Sequence, residues 1–224
     1  MAQPDRFEIF SDQIPAGTRW IENAPARRGG YGSGSTQYIY VGAQESPGIT
    51  GLSLPIRAHP GPGEYRYITF AWIKWGGNQI AMKFDIDANA GHSAQSARRY
   101  NYTYFEGDAT DLTGFRLGDR VSGNWTVVTR DLGNDFGDVT ITGVSFLCPV
   151  KRDAGFDAVI LGRTLDDLGN VPPIVPTRVV RPVDVDAGVD FDALYRIDFE
   201  EEPQRVQIDW AAQLKAAGVW MYPL

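Results

Sequence analysis

The chain has little of the side-chain chemistry on which most enzymes depend. Its 224 residues include one cysteine, Cys148, and two histidines, His59 and His92. One cysteine excludes an internal disulfide and a cysteine-rich metal site. Two histidines, both in loops rich in glycine or proline, leave almost no material for a Ser-His-Asp triad or a histidine zinc site. Cys148 ends the apolar run 144–148, which predicts a buried structural thiol.

Long apolar runs and an excess of positive charge are also lacking. No stretch approaches the ~20 apolar residues of a membrane-spanning helix, so no transmembrane segment is predicted. The first residues, 1–6, contain no apolar core, so no signal peptide is predicted either. The net charge is −7 and no basic face balances the acids. Nucleic acid is therefore excluded as the main partner.

Helical periodicity is missing from the first three quarters of the chain. Instead, 25 glycines, 14 prolines and 12% aromatic residues favour short strands joined by tight turns. One strand alternates Ile80, Met82 and Phe84 with Ala81 and Lys83, the pattern of a half-buried strand. The segments that predict strands are Phe7–Ile14, Gln37–Val41, Ile49–Ile56, Tyr65–Trp75, Gln79–Asp87, Arg99–Phe105, Trp125–Asp131, Val139–Cys148 and Phe156–Arg163.

About nine strands over this length predict an all-β fold, an antiparallel two-sheet sandwich of jelly-roll type spanning residues 1–170. Beyond it, prolines predict an extended C-terminal arm over residues 171–224. Residues 184–209 of the arm hold nine acidic and two basic side chains, an excess equal to the net charge of the whole chain. The arm is expected to end in a short helix near 210–217, capped by Asp209 and stopped by Gly218.

The end of the arm carries the apolar side chains that need a surface on which to pack. A helix this short is marginal alone, so these residues predict docking, either on the chain's own sandwich or on another subunit. The predicted docking residues are Trp210, Leu214, Trp220, Met221 and Tyr222.

Aromatic residues are the best candidates for ligand binding within the body. Tyr100, Tyr102 and Tyr104 alternate along one strand and share a face, beside Arg98 and Arg99. If that face is exposed, the three rings form a platform for sugar rings or protein, and the arginines donate hydrogen bonds to a ligand. If that face is covered, the same rings fill the core.

A second polar pattern lies on one predicted strand, where Asp85 and Asp87 are two residues apart. Solvated strand acids are the default interpretation. The pair also begins an EF-hand-like series, but the glycine and the twelfth position do not match. A looser calcium site at Asp85 and Asp87 stays open, as does a β-sandwich glycosidase pair. No other metal or cofactor is predicted.

Four segments together carry a resemblance to a known family: Gly63–Trp72, Trp125–Leu132, Asp135–Val144 and Ile160–Leu168. The chain is similar, over roughly residues 7–168, to galactose-binding-domain-like β-sandwich modules of bacterial extracytoplasmic proteins, often found beside c-type cytochrome domains. The resemblance implies a jelly roll that binds or spaces rather than catalyses, and an extracytoplasmic or periplasmic setting. The haem motif Cys-x-x-Cys-His is not present.

These observations predict a protein that is not an enzyme. The leading hypothesis is a structural or interaction subunit whose C-terminal arm anchors it to a larger assembly, by analogy a membrane-associated electron-transfer or envelope complex. The alternative is a carbohydrate-binding module that uses an exposed aromatic row. The two hypotheses place the functional surface differently, on the arm in the first and on a sheet face in the second.

Overall fold

The computed structural model describes residues 5–22, 26–32, 34–42, 45–87, 102–107, 114–119, 121–149, 153–174 and 178–180. The chain divides into two compact units, Met1–Pro182 and Val183–Leu224, and every described residue belongs to the first. Among the described residues, no helix is long and apolar enough to cross a membrane.

The regular secondary structure of the described residues is almost entirely β-strand. A single α-helix, α1 (Leu132–Phe136), and a short 3-10 turn, Asp166–Leu168, interrupt the strands within the described ranges. The strands are β1 (Arg6–Phe10), β2 (Arg19–Ile21), β3 (Ala26–Arg28), β4 (Gln37–Val41), β5 (Gly48–Ile56), β6 (Tyr67–Lys74), β7 (Gln79–Ile86), β8 (Thr103–Gly107), β9 (Gly114–Gly118), β10 (Thr126–Asp131), β11 (Val139–Leu147), β12 (Ala154–Gly162) and β13 (Arg178–Val180).

The strands form two sheets. The first sheet has the order β10-β6-β12-β4-β3, and β1 also pairs with β12. The second sheet has the order β13-β9-β8-β7-β11-β5-β2. All named pairs are antiparallel except β8 with β9, which is parallel. The prediction of an all-β jelly-roll sandwich is confirmed.

The core lies between the two sheets, where the alternation of each strand places its apolar side chains. Ile80, Met82 and Phe84 of β7 are at most 2% exposed, as the period of two predicts. Phe70 and Trp72 of β6 face them from the first sheet, and both belong to the same buried cluster. Cys148 is a buried thiol, fully inaccessible to solvent, which confirms its predicted structural position.

Several elements were not predicted. The strands β2, β3 and β13 have three residues each, too few to show a period, and they form because a longer neighbour offers a free edge. Helix α1 has five residues and depends on a cap, since the Asp131 carboxylate accepts a hydrogen bond from the Asn134 amide at 3.0 Å. Such local hydrogen bonds leave little periodic trace in a sequence.

The predicted C-terminal arm is described only at its start. Its segment Arg178–Val180 forms β13 and pairs with β9, so this part adds an edge strand to the second sheet. The predicted helix near 210–217 lies outside the described residues. So do all five predicted docking residues, Trp210, Leu214, Trp220, Met221 and Tyr222.

Candidate functional site

The predicted tyrosine row does not form an exposed platform. Tyr102 is 7% exposed and Tyr104 is fully buried. Both rings lie 5.2 Å from the ring of Phe136, inside the core. The reason is register, because Tyr104 pairs with Met82, a core residue of β7, and therefore points into the sandwich. The other members of the predicted site, Tyr100, Arg98 and Arg99, lie outside the described residues.

Tyr104 takes part in a buried polar network instead. Its hydroxyl donates a hydrogen bond of 2.6 Å to the Asp135 carboxylate. The Arg130 guanidinium donates to the same carboxylate at 2.6–2.9 Å, and both side chains of this ion pair are at most 4% exposed. Burial and the neighbouring Asp135 raise the pKa of the Tyr104 phenol well above its usual value. The network links β8, β10 and α1 and is structural.

The two strand acids, Asp85 and Asp87, do not belong to a larger group of metal-ligating side chains within the described part of the chain. Asp85 is half-buried on β7, and Asp87 is exposed just after the strand. Within the described ranges, no three His, Cys, Asp or Glu side chains gather as a metal site would require. The calcium hypothesis therefore has no support from these residues.

Four aromatic side chains form a contiguous surface on the outer face of the first sheet. We call Tyr31, Tyr38, Trp75 and Trp125 the outer aromatic cluster. The Tyr38 ring contacts both indoles, 5.8 Å from that of Trp75 and 5.9 Å from that of Trp125. Tyr31 extends the cluster, with its ring 6.3 Å from Trp125. Tyr31 is 40% and Trp75 39% exposed, while the other two are half-buried.

Gly155 makes this arrangement possible. It lies on β12 between Tyr40 of β4 and Ile73 of β6. Its neighbours Ala154 and Phe156 belong to the core, so its own position faces outward. A Cβ atom there would come within 2.9 Å of the Ile73 side chain, 3.0 Å of the Trp75 indole and 3.2 Å of the Trp125 indole. The missing side chain therefore allows both indoles to lie over the strand.

The loop that carries Tyr31 is held by a buried carboxylate. Asp157, 1% exposed, accepts hydrogen bonds of 2.7 Å from the Tyr31 amide and the Ser35 hydroxyl through one oxygen. Its second oxygen accepts one of 2.7 Å from the Ala158 amide. Burial raises the pKa of the Asp157 carboxyl, an effect that these hydrogen bonds oppose. The loop is therefore fixed to β12 directly beneath the cluster.

A second carboxylate holds the far end of the same loop. Asp12 accepts hydrogen bonds from the amides of Thr36 at 2.7 Å and Gln37 at 2.8 Å. These bonds favour the charged form, so the pKa of Asp12 is lowered, chiefly by Gln37 and Thr36. With both ends of the loop bound, Tyr31 is presented by a fixed backbone.

Polar groups border the cluster on β3 and β4. The Arg27 guanidinium lies 3.2 Å from the centre of the Tyr40 ring, a cation–π contact. Tyr40 also hydrogen-bonds to Asp153, which raises the pKa of its phenol. Aromatic surface bordered by a few fixed polar groups is the usual composition of a binding site for an amphipathic small molecule.

This cluster was not predicted, because no sequence motif encodes it. Tyr38, Trp75 and Trp125 lie in three different predicted strands, Gln37–Val41, Tyr65–Trp75 and Trp125–Asp131, and Tyr31 lies in a loop. Nothing in the sequence shows that these segments meet. The one available signal was composition, since the Gly/Ser-rich loop 29–35 includes an aromatic residue and needs an anchor.

No protein-family model matches the chain, and no curated protein matches it. Similar solved structures include a mutant of the family 29 carbohydrate-binding module CBM29-2, at 14% identity and a TM-score of 0.41, covering 75% of this chain and 99% of that one. A CBM29-2 mutant complexed with cellulohexaose has 13% identity and a TM-score of 0.41, covering 75% and 96%. At these identities the likeness concerns the fold alone.

A third similar structure is the family 11 carbohydrate-binding module from Clostridium thermocellum, in complex with a β-1,3-1,4-mixed-linked tetrasaccharide. It has 10% identity and a TM-score of 0.38, covering 71% of this chain and 96% of that one. The leading hypothesis of an assembly subunit is corrected here, because the similar structures are carbohydrate-binding modules and match its alternative better. The expected association with cytochrome domains finds no support among them.

Proposed function

We propose that this protein is a carbohydrate-binding module and that the outer aromatic cluster is its binding surface. The observation that carries the proposal is the contiguity of Tyr31, Tyr38, Trp75 and Trp125 on one sheet face, with two of the rings about 40% exposed. Sugar rings present apolar C–H faces between hydroxyl groups, and aromatic side chains with fixed polar neighbours complement both parts.

The surrounding residues hold the cluster in a fixed arrangement, which supports a binding surface over incidental exposure of single rings. Clustered exposed aromatic area costs solubility, so it marks an interaction surface more often than a single exposed ring does. Here Gly155 makes room for two of the rings and Asp157 anchors the loop of a third. A surface that is already fixed loses little conformational entropy when a ligand binds.

Binding without hydrolysis is part of the proposal. Two carboxylates lie in or just before β12, the strand beneath the cluster, and both already accept hydrogen bonds from the protein. Asp157 accepts three hydrogen bonds, and Asp153 accepts one from Tyr40. A glycosidase needs one carboxylate that is free to donate a proton and another that faces the anomeric carbon. Among the described residues beside the cluster, these two acids stabilise the local structure and do not fit the roles of catalytic acid and nucleophile.

The test is retention of soluble and insoluble polysaccharides by the full chain, first as a screen and then as a titration against the polysaccharide that is retained. Removing the Trp125 ring should weaken binding on the order of thirtyfold, the effect of a central aromatic anchor worth about 2 kcal/mol. The control is Ile21→Ala, which removes an exposed apolar side chain, 39% accessible, from the second sheet, away from the cluster. Equal affinities of Trp125→Ala and the control would refute the proposal.

A further inference from the structure

A cleft lies at the opposite end of the first sheet from the outer aromatic cluster. It has a volume of about 470 Å³ and is bordered by the loop after β5, the start of β6 and the residues that follow β12. Trp75 follows the last residue of β6, whereas the cleft begins at its first. At about 3.3 Å per residue, the eight-residue strand separates the two surfaces by roughly 25 Å. The side chains that line it include His59, Arg66, Tyr67, Arg163, Leu165 and Asp166.

Two arginines stand beside each other at this cleft. Gly162 pairs with Tyr67 across β12 and β6, so the next antiparallel position places Arg163 opposite Arg66. The Arg66 amide donates a hydrogen bond of 3.0 Å to the Gly162 carbonyl, which confirms that the two backbones adjoin. Like charges in directly opposed positions destabilise a sheet. Here each arginine has its own carboxylate partner, Asp131 for Arg66 and Asp5 for Arg163.

The two guanidiniums differ in how firmly they are held. Arg66 makes a forked contact with Asp131, at 2.7–3.1 Å, and also donates to the Ala58 carbonyl at 2.9 Å. Arg163 is bound more loosely, by one bond of 2.9 Å to Asp5, whose side chain is 44% exposed. Exposed ion pairs of this kind contribute little stability, so Arg163 can exchange Asp5 for another anion at small cost.

The remaining polar side chains around the cleft are exposed or half-buried, and so are accessible to a ligand. Among the described residues, the side chains of His59 and Tyr67 and the Nε and Nη1 atoms of Arg163 have no hydrogen-bond partner. The Tyr67 ring lies 5.1 Å from the Arg66 guanidinium and forms a wall beside it. Asp166 is the one acid among the lining residues, and it is exposed.

We propose that this cleft binds an oxyanion, a carboxylate or sulfate group carried by a ligand. The planar guanidinium fork matches both groups, since each offers two oxygens at the spacing of the two N–H bonds. Tyr67 and the 40% exposed Leu165 would contact the less polar part of the same ligand. This site is separate from the outer aromatic cluster and does not depend on the function proposed for it.

The experiment follows backbone amide signals of the full-length protein by NMR during titration with sodium glucuronate, sodium sulfate or uncharged glucose. Shifts confined to residues around Arg163, Arg66 and His59 are expected with at least one anion and not with glucose. Response to glucuronate or to sulfate decides which group the site takes. Added sodium chloride should weaken the shifts, because the attraction is partly exposed and screened.

Three variants make the test decisive. Arg163→Gln should weaken anion binding at least about fivefold, and Arg163→Lys should fall between it and the native protein because a point charge lacks the fork. The control Arg19→Gln removes the same charge from exposed β2 in the second sheet. The site is refuted if neither anion moves cleft signals at about 50 mM, far above a millimolar Kd. Equal shifts with glucose, or unchanged binding by Arg163→Gln, would refute it too.

Discussion

At the scale of single residues, an absent side chain shapes the proposed binding surface more than any present one. The two indoles of the outer aromatic cluster approach β12 only because position 155 is glycine. The flanking strand residues Tyr40 and Ile73 would otherwise stand beside a side chain of ordinary size. The shape of the surface therefore depends on packing around Gly155 as much as on the aromatic rings themselves.

This dependence gives the first prediction. In Gly155→Ala, the new methyl group would lie 2.9 Å from the Ile73 side chain and 3.0 and 3.2 Å from the Trp75 and Trp125 indoles, so these side chains must shift. We expect polysaccharide affinity to fall about tenfold, or 1.4 kcal/mol, while the fold persists. Affinity electrophoresis against the retained polysaccharide measures the effect, with Gly123→Ala as the control, since a Cβ atom there meets nothing within 4 Å. Identical mobility shifts for both variants would contradict it.

At the scale of secondary-structure elements, helix α1 is held to the sandwich by charge. Asp135 in the helix accepts hydrogen bonds from Arg130 on β10 and Tyr104 on β8, so one carboxylate joins three elements across the two sheets. Both members of the ion pair are nearly inaccessible to solvent. Removing one partner of a buried pair leaves the other charge uncompensated.

We therefore expect Asp135→Ala to lower the free energy of unfolding by about 3–5 kcal/mol. Denaturation in urea, followed by tryptophan fluorescence, gives that value. The control is Asp119→Ala, which removes the 86% exposed partner of Arg116 and should cost far less. If the two substitutions cost the same, the buried network does not stabilise the fold in the way its burial implies.

At the scale of the whole molecule, closing the sandwich changes the response of stability to pH. Glu106 on β8 pairs with the core residue Ile80, and burial raises the pKa of its carboxyl from 4.5 to about 7. The folded chain therefore holds this proton more strongly than the unfolded chain does. The contribution of Glu106 to stability is greatest below pH 4.5 and falls as the pH rises to about 7, where the buried carboxylate becomes charged.

Glu106→Gln should remove this pH-dependent loss. We expect the thermal midpoint of the variant to match the native protein near pH 4.5 and to exceed it at pH 8, by an amount equivalent to about 2–3 kcal/mol. Glu22→Gln removes the same charge from an exposed position and serves as the control. A difference between variant and native protein that stays constant with pH would show that the Glu106 carboxyl does not titrate in this range.

What could be predicted from the sequence was the part of the architecture that local chemistry encodes. The alternation in β7, the glycine and proline turns and the apolar run before Cys148 each depend on neighbouring residues. They were enough to predict the all-β sandwich and a buried thiol, and both are confirmed. The scarcity of cysteine and histidine likewise belongs to the sequence alone.

Only the tertiary structure decided which aromatic residues are exposed. Alternation shows that Tyr102 and Tyr104 share a face, but the pairing of β8 with β7 determines that this face is the core. The outer aromatic cluster and the facing pair of Arg66 and Arg163 both depend on strands that are distant in the chain and adjacent in the first sheet. Such surfaces form when strands that are distant in the sequence pair with each other. A local pattern shows which side chains share a face of one strand, but it does not show which strand becomes the neighbour or in what register.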